Sequence, residues 1–145
     1  MNKSFIIILI ILVVSSIGIF INYKERSIQQ IDLKNFNLQY EEYNKENLNG
    51  LDVTTVMNKA ITNNEKYGIS KDENGLYILD DEYSIEIYVT MIINNTTYRM
   101  EKFSGADINT NFVRYFGEVS FRCTEVKYHE KTGRIASMTF EATEY

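Results

Sequence analysis

The polar and apolar positions of the chain fall into two unequal parts. Residues 5–21 read Phe-Ile-Ile-Ile-Leu-Ile-Ile-Leu-Val-Val-Ser-Ser-Ile-Gly-Ile-Phe-Ile, without a charge or a proline. As a helix rising ~1.5 Å per residue, these 17 residues cover about 26 Å, just a hydrocarbon core, with Asn22 and Tyr23 at the interface. From Tyr23 to Tyr43 no Gly or Pro breaks the helix. Ile28, Ile31, Phe36, Leu38, Tyr40 and Tyr43 are loosely periodic there, so the helix is expected to leave the membrane and run on for some turns. Residues 44–50 are turn-rich and read as a connection.

The rest alternates between the two periods. Val53, Val56, Met57, Ala60 and Ile61 form one helical stripe, capped by Asp52 and ended by Asn63-Asn64 and Tyr67-Gly68. Residues 71–75 and 80–82 read as turns on either side of a short apolar strand at 76–79. Ile85, Ile87, Val89 and Met91 alternate with Glu86, Tyr88 and Thr90, the pattern of a half-buried strand. Asn94-Asn95 turns it into a hairpin with residues 96–103. The period changes again at 104–116, where Ile108, Phe112, Val113 and Phe116 share a helical face, Ser104 or Asp107 can cap, and Gly117 stops. Two long strands close the chain, 118–129 and 134–142, joined through Lys131-Thr132-Gly133. Val126 and Tyr128 are out of phase with Val119, Phe121 and Cys123. A bulge near Thr124-Glu125, or a strand buried on both faces, explains the change. The expected fold is α+β: an N-terminal transmembrane helix, then an antiparallel sheet of about four or five strands with helices packed on one face. The expected division is an anchor at 1–23, a juxtamembrane helix and linker at 24–50, and an α+β domain at 51–145.

Charge narrows the partners. Lys3 is the only charge within residues 1–23, so the remainder carries 14 basic and 20 acidic side chains, a formal net charge of −6. An acidic domain without a basic cluster is a poor match for nucleic acid or anionic headgroups. Its many tyrosines and phenylalanines argue against a disordered tail. Cys123 is the sole cysteine, so no intrachain disulfide forms, and a small hydrophobe within a strand is its ordinary role.

The apolar run reads as an uncleaved anchor. It is long for the core of a signal peptide, no A-x-A-like site comes after it, and no cysteine is available for a lipoprotein anchor. Lys24, Arg26 and Lys34 outnumber Lys3 and the free amine, which by count holds the domain in the cytoplasm. A short basic N-terminus before a first apolar run normally stays inside and exports the chain beyond it. On that ground the N-terminus is expected in the cytoplasm and the domain outside, facing a protein partner in the cell envelope.

Candidate chemistry is sparse. His129 lies beside a hairpin turn, where a solvated side chain is the default. A Cys123–His129 dyad fails because six strand positions separate the two by roughly 20 Å. Ser70, Asp72, Asn74, Gly75 and Asp81 fall at positions 1, 3, 5, 6 and 12 of an EF-hand loop. Position 1 should be Asp and position 12 Glu, however, and the flanks read as strands, so a turn explains the segment better. Asn94-Asn95-Thr96-Thr97 matches the glycosylation acceptor twice, which reads as chance in so Asn-rich a chain. No phosphate loop, nucleophile elbow or zinc-protease motif occurs. No catalytic, cofactor-binding or metal-binding residue is therefore assigned, and an enzyme is not expected. A cleft lined by Glu86, Glu101 or Glu141 with strongly raised pKa values would reopen that question.

Two likenesses remain. Phe36-Asn-Leu-Gln-Tyr40-Glu-Glu-Tyr43, then Gly50-x-Asp52-Val53 and a helix ending in Asn63-Asn64, resembles an F-N-x-x-F/Y-E-x-Y block with a G-x-x-V helix after it. Small single-pass membrane-anchored proteins of low-GC Gram-positive bacteria carry that pattern. The stretch from Phe121 through Ile135 is similar to such chains as well. The resemblance implies a bacterial membrane-anchored protein and brings no activity or catalytic residue. In plan, an apolar N-terminal helix before an antiparallel sheet resembles type IV pilins and pseudopilins. Here Ser4-Phe5 stands where those proteins carry Gly-Phe, and Leu9 where they carry Glu, and both departures count against processing and normal filament assembly.

Overall fold

In the computed structural model, residues 3–92, 95–103 and 112–144 are described, without the side chains of residues 3–5, 8, 9 and 144. The chain resolves into two compact units, Met1–Phe36 and Asn37–Tyr145. The first is helical. Helix α1 spans Lys3–Glu41, so its last turn belongs to the second unit. Among the described residues, no helix is long and apolar enough to cross a membrane.

The second unit is an α+β domain. It comprises β1 (Leu48–Asn49), α2 (Gly50–Lys66), β2 (Glu86–Met91), β3 (Thr96–Arg99), a 3-10 turn (Met100–Phe103), β4 (Ser120–Tyr128) and β5 (Ile135–Glu144). The five strands form one sheet in the order β1-β4-β5-β2-β3. The fold takes in Tyr40 and Leu48, both buried, so the segment read as linker contributes a strand and core side chains.

Helix α2 forms where the stripe places it, but its cap is Asn49 rather than Asp52. The Asn49 side chain accepts from Asp52 N at 2.9 Å, and the Asp52 carboxylate accepts from Asn49 N at 3.0 Å. This capping box satisfies two end donors at once. Asn63 and Asn64 do not end the helix; both lie in its last turn and are buried. Val53, Val56, Met57 and Ala60 lose essentially all solvent contact as α2 packs on β1, β2 and β4. The sheet supplies Ile87, Val89, Phe121, Met138 and Phe140 to the same core.

The sheet is mixed, which corrects the expectation of an antiparallel one. Strands β2 and β3 form the expected hairpin, and β4 and β5 another, but β5 runs parallel to β2, with Ile87 beside Met138 and Val89 beside Phe140. A period of two is the same in parallel and antiparallel strands. Their sense is a matter of long-range pairing and leaves no mark in the alternation of either strand. The bulge is where the phase change puts it. Cys123 pairs with Phe140 and Glu125 with Thr139, with Thr124 left over. The extra residue brings Val126 opposite Met138 and so back to the core face.

Residues 76–79 form no strand of the sheet; Lys71 and Tyr77 make one isolated antiparallel bridge. Residues 112–116 are helical, and Gly117 N donates to Val113 O at 2.9 Å, so the chain stops where Gly117 predicts. The rest of that expected helix, 104–111, lies outside the described residues, as does Asn94 of the hairpin turn.

Candidate functional site

Alternation along β2 sends Glu86 to the side of the strand opposite Ile85 and Ile87. That position is expected to be solvated, yet the Glu86 side chain is wholly buried. Two features cover it. The hairpin register puts Arg99, at the end of β3, beside Tyr88. The segment 71–77 folds back through its own turn. Asp72 accepts from Asn74 N and Leu76 N at 2.9 Å each, and Gly75 takes φ +77°, which suits a residue without Cβ.

The Arg99 guanidinium is the centre of the cluster. Its Nε donates to Glu86 Oε2 at 2.9 Å, and Nη2 bonds the same oxygen. Nη2 also donates to Glu101 Oε1 at 3.0 Å and to the Tyr77 carbonyl at 2.9 Å. Glu101 Oε1 accepts from Tyr77 N at 2.7 Å, and Glu86 Oε1 accepts from Met100 N at 3.3 Å. Two buried carboxylates share one guanidinium, so full ionisation leaves an excess negative charge. Burial pushes the Glu86 carboxyl up to about 7, Arg99 opposes the rise, and the Glu101 charge adds to it.

This is the raised carboxyl that would reopen the question of catalysis, and its setting limits what it does. Both Glu86 oxygens are engaged by protein donors, and the side chain has no exposed surface from which to pass a proton to a substrate. The cluster ties the 71–77 segment to β2, β3 and the 3-10 turn. Glu141 is not part of it; it pairs with Arg122 at 2.8 Å, half-exposed.

The other candidates disperse. Cys123 is half-buried, with Sγ 3.6 Å from the Glu125 carbonyl, and burial pushes its thiol up. His129 is buried rather than solvated, its Nε2 bonded to the Ser84 carbonyl at 2.7 Å. The fold closes segment 80–84 over it, and no local pattern marks that long-range contact. The notional calcium loop is an ordinary turn: the Asp72 carboxylate is spent on backbone amides, and Asp81 pairs with Lys131. Among the described residues, no group of three or more His, Cys, Asp or Glu could hold a metal ion. Sequence reasoning singled out Glu86 and Glu101 but passed over Arg99, although the hairpin register alone puts it near Glu86.

The site and sheet define a mixed α+β domain fused to a long helix. No family model, curated protein or solved structure matches the chain.

Proposed function

We propose that the chain is a single-pass membrane-anchored protein whose acidic α+β domain lies outside the cytoplasm and acts by binding or scaffolding. One observation carries the reading. Helix α1 bears exposed aliphatic side chains at Ile10, Ile11, Leu12, Val13 and Val14, and again at Ile17, Ile19 and Ile21. Those positions go all the way round a helix, and an all-round apolar helix needs lipid or a protein interior around it. No helix among the described residues suffices to cross a membrane, so the reading also draws on residues 5–9 of the sequence, which bring the uncharged run to 17 residues. Glu86 and Glu101 are engaged by Arg99 within the domain, and the reading gives them a structural part.

The test is vesicle flotation of the full chain after alkaline extraction, with protease shaving of intact bacterial spheroplasts that carry a tag after Tyr145. Flotation with digestion of tag and domain from outside is the expected result. Protection until lysis places the domain inside and overturns the orientation, and failure to float overturns the anchor. A pilin-like assembly subunit is the second reading, favoured by one helix running from Lys3 to Glu41 into the domain. Mass spectrometry showing Phe5 as the new N-terminus would establish it over the first.

A further inference from the structure

Beyond residue 21, helix α1 becomes polar, and its exposed aliphatic side chains are Ile28, Ile31 and Leu38 among the described residues. Their spacing of three and seven is that of a heptad with Ile28 at a and Ile31 and Leu38 at d. Extended upstream, the same register passes through Ile21, Ile17, Val14 and Ile10, all at least half exposed. Asn35 takes the remaining a position and Lys24 a d position. In the last turn, which belongs to the second unit, Leu38 lies apart from the residues that contact the domain. Asn37 Nδ2 donates to the Gly133 carbonyl at 2.9 Å, Asn37 Oδ1 accepts from Ile135 N at 3.1 Å, and Tyr40 is buried. Leu38, between them, stays 48% exposed.

We propose that this seam is a self-association surface, and that α1 of one copy pairs with α1 of a second, in parallel, as a two-stranded coiled coil. Three observations select a second copy. The 3.5-residue repeat is complementary to itself, because in a parallel pair each a or d side chain meets its own counterpart. Lys24 at d meets the Lys24 of the other copy, and the flanking e position of each facing helix is Glu25, which sets an opposite charge beside each ammonium. Asn35 at a meets Asn35, the polar pair that fixes a parallel, two-stranded register. Of the seam, Ile28, Ile31 and Leu38 lie in the polar part of the helix, and Ile10, Val14, Ile17 and Ile21 in the apolar run, where packing rather than burial from water operates. Burial from water drives only the Ile28–Leu38 part, and confinement of both copies to one surface assists it.

The inference shares the anchor reading for residues 5–21 but draws its register from residues 24–38. In the full chain carrying Cys123→Ser, single cysteines at Ile28, Ile31 and Leu38 are compared with cysteines at Gln29 and Gln30, in vesicles and in detergent, under mild oxidation. Efficient dimer formation at the first three, at least tenfold over Gln29 and Gln30, is expected, with a protein mass of two chains by sedimentation in detergent. Uniform cross-linking, no cross-linking, or a mass of one or of three chains overturns the pairing. Independent flotation separates the two readings. A patterned cross-link in protein that does not float sinks the anchor alone, and a floating protein without the pattern sinks the seam alone.

Discussion

The Asn64 side chain meets Ile85 as a neighbouring strand would. Its Nδ2 donates to the Ile85 carbonyl at 2.8 Å, and its Oδ1 accepts from Ile85 N at 2.8 Å. Asn64 is completely buried, so the end of α2 and the residue before β2 are joined by two bonds shielded from water. Asn64→Ala leaves both Ile85 groups without a partner and should cost roughly 2–4 kcal/mol. Asn64→Asp keeps the acceptor, loses the donor and adds a buried charge, so it should be no better. Urea denaturation of both variants checks this; a midpoint within error of the parent for either would show that the two bonds contribute little.

The Glu86 carboxyl predicts a pH dependence with a definite sign. In the unfolded chain it titrates near its ordinary 4.5, and in the fold at about 7. Between those values the folded state holds a proton that the unfolded state has released. Stability therefore falls as pH rises from about 4.5 to about 7 and levels off above. Asp80 acts in a separate window: its carboxyl is held below the ordinary 3.8 by backbone donors that outweigh its burial, and its contribution is lost only at more acid pH. Glu86→Gln should flatten the slope between pH 5 and pH 7.5. If urea midpoints of the parent rise or stay level over that range, Glu86 is ionised in the fold.

Arg99 bonds both Glu86 and Glu101. Removing it takes the shared cation from two buried carboxylates, and Arg99→Met should destabilise the domain by about 3–5 kcal/mol. Arg99→Lys keeps the charge but cannot reproduce the fork that reaches Glu86, Glu101 and the Tyr77 carbonyl, and should recover only part of the loss. Pairing Arg99→Met with Glu86→Gln should recover more than either single change implies, because the orphaned charge is gone. Additive losses in that double-mutant cycle would count against the coupling.

Gly50 opens α2 against the turn after residues 112–116. Its N donates to the Gly117 carbonyl at 3.0 Å, and a Cβ there would overlap the Phe116 carbonyl oxygen and carbon. Because the obstacle is backbone, Gly50→Ala should lower stability by about 1–3 kcal/mol despite its better helix propensity. Thermal melts of Gly50→Ala against the parent decide it. An unchanged or higher midpoint would mean that the approach relaxes at no cost.

The sequence alone determined the features that short-range periodicity encodes. The α2 stripe, the β2–β3 and β4–β5 hairpins, the stop at Gly117 and the phase change in β4 are set by short spacings, because each reports which face of one element is covered; the structure then decided between a bulge and a strand buried on both faces. The tertiary structure decided everything that depends on which elements become neighbours. Glu86 looks like any polar residue of an alternating strand, and only the Arg99 guanidinium and the Met100 amide, brought to it by the fold, make its burial tolerable. His129 looks like a turn residue until the Ser84 carbonyl meets it across the fold. The parallel pairing of β5 with β2 leaves no mark in either strand, since side chains alternate identically in both senses. Local patterns record how much of a residue is covered, and long-range contact decides by what.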